Sequence, residues 1–169
     1  MILPVRFDQN EWFLLITLLV CLLIFFWLPT RFPRSITISI VVMTIFVGQL
    51  VDIILSLEPL DFYDINDTSQ FDLFDFLALI IYGCFGYFLV YLYDLFRPQS
   101  LILWLYITLW ALVSTGYEWI SIQFGVFHYK GWQVMYSFIF YLAVISVMLL
   151  YFRFLQKEHA KIDENHPIL

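Results

Sequence analysis

The sequence predicts an all-α integral membrane bundle of five transmembrane helices. Three observations predict it. Of 169 residues, 63% are hydrophobic and only 13% are charged, whereas soluble domains carry about 25% charged residues. Apolar runs long enough to cross a bilayer, about 20 residues each, recur along the chain between short polar turns. Five such runs then consume nearly the whole length. Residues 1–169 therefore read as a single transmembrane domain, with the bilayer itself as the principal partner.

The first run spans about 11–28, with Trp12 and Trp27 near its ends, where interfacial tryptophans belong. The lead Met1–Asn10 is not strongly basic and no small-x-small cleavage site follows, so the run reads as a retained helix rather than a signal peptide. It is apolar nearly all round and is expected at the bundle periphery. Pro29 and Pro33 bracket a tight turn that stops one helix and starts the next. The second span covers about 35–57. Its last third carries Gln49, Asp52 and Ser56, which share one helical face.

Residues 58–70 form the one substantial loop, with four acids and no base. Its aspartates lack the glycine and terminal glutamate of a calcium-binding loop. A solvated loop with aromatics resting on the membrane surface is expected. The third span covers about 71–96. Asp72 and Asp75 lie in its first turns, where carboxylates favour the positive end of the helix dipole. Gly83 and Gly86 permit close helix approach, so this span is expected at the centre of the bundle. The turn at Arg97-Pro98-Gln99 makes spans three and four an antiparallel hairpin. The fourth span, 100–123, carries Ser114, Glu118 and Ser121 on one face. After a short loop with His128, Tyr129 and Lys130, the fifth span covers about 132–154. Residues 155–169 read as a charged, frayed cytoplasmic tail.

Charge gives the bundle a sidedness. With five spans, Arg6 and Lys130 fall on one side, and Arg31, Arg34, Arg97, Arg153, Lys157 and Lys161 on the other. The basic side faces the cytoplasm, which puts the N-terminus out and the C-terminus in. Asp52 then lies about 7–8 Å below the outer edge of its span at 1.5 Å per residue, and Glu118 at a similar depth. Asp94 lies at the opposite end. The expected polar site is thus Gln49, Asp52, Asp72, Asp75, Glu118 and Lys130, near the outer leaflet. Intramembrane carboxylates are costly and mark function by default. They can be protonated, neutralised by a bound cation, or paired with Lys130, with Glu118–Lys130 or Asp52–Lys130 as the structural tie.

Other chemistries lack their residues. The eight basic residues are scattered, which opposes nucleic-acid binding. Cys21 and Cys84 fall mid-span and read as small buried residues. No nucleophile elbow, zinc helix motif or phosphate loop is present, so no catalytic residue, metal site or cofactor is expected.

Asp52 in a mid-chain span, Phe71-Asp72 or Phe74-Asp75 opening the next, Glu118-Trp119 in the fourth and Tyr129-Lys130-Gly131-Trp132 opening the last resemble a group of small multi-spanning membrane proteins of spore-forming Gram-positive bacteria. The biochemical function of that group is uncharacterised. The resemblance covers roughly residues 40–150 and implies a multi-pass protein of a bacterial plasma membrane. This chain departs in its longer acidic loop and in Gly131, where a polar or basic residue would be expected. The expected function is a non-enzymatic sensor, assembly or transport-accessory component, with a homo-oligomer or a membrane-protein partner open. The alternatives are a small ion or proton channel or carrier, and a lipid-modifying membrane enzyme.

Overall fold

The computed structural model describes residues 7–66 and 73–165. Phe71 and Asp72, the latter one of the expected acids, lie outside the described residues. The elements in chain order are α1 (Gln9–Trp27), α2 (Arg34–Ser56), β1 (Tyr63–Ile65), α3 (Leu73–Phe96), α4 (Ser100–Gln123), β2 (Phe127–Tyr129) and α5 (Val134–Asn165). All five helices are long and apolar enough to cross a membrane. Their outer faces carry large apolar side chains such as Leu19, Phe46, Leu101 and Ile139, each more than half exposed. A bundle that shows this much apolar surface is suited to lipid.

The helix boundaries follow local chemistry. α1 begins just after Asp8, whose backbone N–H donates to the Glu11 carboxylate at 2.7 Å and closes the first turn. α2 begins immediately after Pro33, as a proline-led helix start requires. α5 runs past the membrane-length segment into what was expected to be a frayed tail. Gln156 Nε2 donates to Asp94 Oδ1 at 3.1 Å and Lys161 pairs with Glu158 at 2.6 Å. No helix breaker occurs in this stretch before Pro167, so nothing in the sequence stops the helix at residue 154.

α3 is the central helix. Half of its spanning segment is buried, against 6% for α2 and 11% for α4. It packs closely on α2 and on α1, while α4 packs on α5. The tight turn at 97–99 does join α3 to α4. Yet these two helices meet mainly through side chains: the Tyr106 hydroxyl donates to the Leu89 carbonyl at 2.5 Å, and the rings of Phe85 and Tyr117 lie 5.2 Å apart. The close α2–α3 approach rests on Gly86. The Thr44 side chain occupies the place where a Cβ on Gly86 would stand. Two apolar cores result. One joins α2, α3, α4 and α5 around Ile40, Val90, Ala111 and Phe152; the other joins α1 to α3 around Leu14, Cys21 and Ile81.

The acidic loop is more ordered than its composition suggests. Its β1 pairs antiparallel with β2 in the register Tyr63↔Tyr129, Asp64↔His128 and Ile65↔Phe127. The carbonyl of Phe62 accepts from the backbone N–H groups of Lys130, Gly131 and Trp132 at 2.9, 3.1 and 3.3 Å. The two loops thus form one cap across the end of the bundle that holds Asp52 and Glu118.

Candidate functional site: a carboxylate-headed cavity

Asp52 sits one helical turn beyond Gly48 on the same face of α2. A Cβ on Gly48 would come within 2.5 Å of Tyr82 Cδ2. The absence of that atom lets the Tyr82 ring lie flat on α2, and its hydroxyl donates to Asp52 Oδ2 at 3.0 Å. The other oxygen, Oδ1, accepts from Tyr63 of the cap at 2.9 Å. Both carboxylate oxygens of Asp52 are therefore held by phenols from different elements.

Glu118 is 7% exposed. Its Oε2 accepts from the Tyr141 hydroxyl at 2.6 Å, and its Oε1 accepts from Ser137 at 2.5 Å and from Tyr129 of the cap. The indole N–H of Trp132 donates to Ser137 Oγ at 2.7 Å. An indole can only donate, so the serine proton is committed to Glu118. A five-member network, Trp132–Ser137–Glu118 with Tyr129 and Tyr141, thus fixes the carboxylate.

The strand register explains how the cap reaches both acids. Directly opposed residues in an antiparallel pair point to the same face of the sheet. Tyr63 and Tyr129 are such a pair, and both turn into the bundle, one to each carboxylate. Burial and the neighbouring carboxylate push both phenols well above the ordinary tyrosine value, so both remain protonated donors. Successive residues in a strand alternate faces, which turns Asp64 outward.

Lys130 follows the outward course. It pairs with Asp61 at 2.8 Å and with Asp64 at 2.9 Å, on the exposed surface of the cap. The expected tie from Lys130 to Glu118 or Asp52 is not formed, because Tyr129 takes the inward position and the next side chain leaves on the other face. Among the described residues no lysine or arginine pairs with either acid.

Asp52 and Glu118 line one cavity of about 180 Å³ enclosed by α2, α3, α4, α5 and the cap. The cap tyrosines that hold them, Tyr63 and Tyr129, have ring centroids 6.2 Å apart. Below them the wall is apolar, with Val47, Leu89, Val144, Ile145 and Met148. Ser114 also lines it, one turn from Glu118, whereas the Ser121 hydroxyl turns back to the Tyr117 carbonyl at 2.8 Å. Gln49 is half-buried and is not among the lining residues. Asp75 also stays off the cavity wall; its Oδ1 accepts from Asn66 Nδ2 at 2.6 Å, at the edge of the cap. Among the described residues no group of three or more His, Cys, Asp or Glu is arranged to hold a metal ion.

Of the five expected site residues that lie among the described residues, the structure brings two together on the cavity wall, Asp52 and Glu118. It adds Tyr63, Tyr82, Tyr129, Trp132, Ser137 and Tyr141, which sequence reasoning did not assign. Their signal was present in part: tyrosines inside apolar runs carry a polar tip that needs a partner. Comparison with protein-family models, curated proteins and solved structures finds no match to this chain.

Proposed function

We propose that the chain is a multi-pass protein of a bacterial plasma membrane, N-terminus out and C-terminus in, that acts as a non-enzymatic binding component. In this reading it is a sensor or an accessory to transport, and the cavity under the outer cap is its receptor site. The resemblance of its Asp52, Glu118-Trp119 and Tyr129–Trp132 segments to small membrane proteins of spore-forming bacteria supports the setting.

One observation carries the reading. Two carboxylates from different helices face one cavity with hydroxyl donors on every oxygen and, among the described residues, no cationic partner. A purely structural acid in a membrane pairs with a base or a backbone group. Two acids that repel each other across open space cost stability, and a site for an external ligand is the use that offsets that cost. The channel reading finds less support, because the wall inward of the acids is largely apolar, interrupted by Thr44 and Ser114. Lipid chemistry finds less support as well, because the serine beside Glu118, Ser137, has its oxygen occupied by the Trp132 indole N–H.

The test is accessibility. With Cys21 and Cys84 replaced by alanine, single Asp52→Cys, Glu118→Cys and Gln49→Cys variants are treated with a small methanethiosulfonate reagent from the outer side. The first two should react and should be protected by the cavity-filling change Val144→Trp. Gln49→Cys should ignore that change. If neither acid position reacts, the cavity is not a receptor site.

A further inference from the structure

The cavity has two chemically distinct parts, and together they define a ligand. All four carboxylate oxygens of Asp52 and Glu118 already accept a hydrogen bond from a hydroxyl. Each carboxylate oxygen offers about two acceptor sites, so only Glu118 Oε1 is full; a primary ammonium, a guanidinium or a metal ion has to reach the remaining site on each of the other three oxygens, beside the hydroxyls that already hold them. A quaternary ammonium makes no such demand. It donates no hydrogen bond and is held by charge and by aromatic faces. Around the acids those faces are present: Tyr63, Tyr82, Phe127, Trp132 and Tyr141 line the same cavity.

The remainder of the wall is aliphatic and aromatic, with Val47, Leu89, Trp110, Phe140, Val144 and Met148. It continues inward from the acids along α2, α3, α4 and α5. A ligand that filled only the head region would leave this part empty. The cavity of about 180 Å³ corresponds to about six waters at about 30 Å³ each, so it takes a small head and the first part of a short chain rather than a whole lipid.

Resting on the receptor reading above, we propose that the site takes a quaternary ammonium group carrying a short apolar chain, with the charge between Asp52 and Glu118 and the chain along Val144 and Met148. The two repelling carboxylates then share one positive charge. The five hydroxyl donors remain in place, so the cap does not have to reorganise its hydrogen bonds to accept the head.

The experiment uses the full chain in nanodiscs of anionic lipid. The probes are hexyltrimethylammonium, its uncharged isostere 2,2-dimethyloctane, the primary amine heptylamine and the anion hexanesulfonate. Saturable binding is read by the ligand-dependent rise in unfolding temperature and by the fluorescence change of Trp110 and Trp132, each assigned with its phenylalanine variant. Hexyltrimethylammonium should bind tightest. Asp52→Asn and Glu118→Gln should each weaken it by about tenfold or more, as expected for losing a charged contact in a desolvated site. Val144→Phe leaves both acids intact and should shift the preference to a shorter alkyl chain. That keeps the proposal testable if a carboxylate variant does not fold.

If nanodiscs containing a choline lipid abolish probe binding, a lipid headgroup is the source of the ammonium; if they do not, a soluble ammonium compound is. Both results stand within the proposal. Equal binding of the uncharged isostere or the anion would overturn the ammonium assignment while leaving the cavity a receptor site. A stronger response to heptylamine would overturn the quaternary assignment. Failure of every probe in a protein whose Asp52→Cys and Glu118→Cys variants still label would overturn the ligand class but not the receptor reading. Failure of both would overturn both.

Discussion

At the scale of single residues, Glu118 is a buried carboxylate held by three side-chain hydrogen bonds. It receives three hydroxyl protons, one of them ordered by the Trp132 indole. Membrane hydrogen bonds contribute about 0.6 kcal/mol on average and up to about 1.7 kcal/mol. Replacing Glu118 by glutamine keeps one acceptor oxygen but turns an amide donor towards another hydroxyl. The expected cost is about 1–2 kcal/mol, measured as a lower unfolding temperature in nanodiscs. Ser137→Ala should lose a comparable amount, because it strands the Trp132 N–H as well as one Glu118 contact. Gly48 makes the same point from the backbone side. An added Cβ would stand 2.5 Å from the Tyr82 ring, so Gly48→Ala should push the phenol off Asp52 and cost about 1–3 kcal/mol. If the thermal stability of Gly48→Ala equals that of the parent, the Tyr82–Asp52 contact does not depend on this close approach.

At the scale of elements, the cap is the part that sequence reasoning could not supply. The common depth of Asp52 and Glu118 was legible, since it needs only span ends and the rise of a helix. Which side chains meet those acids was not. Tyr63 and Tyr129 are set opposite each other by a strand register between distant loops, and strands three residues long carry no periodicity to read. The misassignment of Lys130 has the same origin: without the register, nothing says that residue 129 turns in and residue 130 turns out. The helical extension to Asn165 was hidden for a different reason. Its polar composition ends the membrane signal but not the helix.

Lys130 supports a prediction at this scale. Hydrogen bonds to Asp61 and Asp64 raise its pKa above the ordinary 10.5. Its contribution is therefore complete below that value and is lost as pH rises through the raised one. The difference in unfolding temperature between the parent and Lys130→Gln should be constant from about pH 7 to 9 and should shrink only as the pH rises above the ordinary lysine value of 10.5. Because the pair is exposed and screened, the variant should leave the labelling of Asp52→Cys and Glu118→Cys unchanged. If Lys130→Gln instead seals or opens those positions, the lysine belongs to the site after all.

At the scale of the whole molecule, the two ends of the bundle differ in kind. One end is capped by tyrosines over carboxylates. The other is tied by bases: Arg31 pairs with Asp94 at 2.6 Å, and Arg153 donates to the Tyr93 hydroxyl at 2.6 Å while lying over that ring at 5.3 Å. These contacts join the α1–α2 turn, the end of α3 and α5, so the basic end acts as the clasp and the acidic end as the mouth. The proposed orientation puts the clasp in the cytoplasm. In a background with Cys21 and Cys84 replaced, a membrane-impermeant maleimide should label Asp64→Cys in intact cells and Lys157→Cys only after permeabilisation. The opposite pattern would invert the topology and put the cavity under the inner surface.

The central claim is that Asp52 and Glu118 are two halves of one site. They sit on different helices and share no hydrogen-bond donor, so any energetic link between them passes through the cavity or the paired strands of the cap. A double-mutant cycle of Asp52→Asn and Glu118→Gln, read by unfolding free energy in nanodiscs, measures that link. The account predicts a coupling of about 0.5 kcal/mol or more, with the double variant more destabilised than the sum of the two single variants, because either single variant already relieves the one repulsion and the second substitution has none left to relieve. Strict additivity, or two silent single variants, would contradict it.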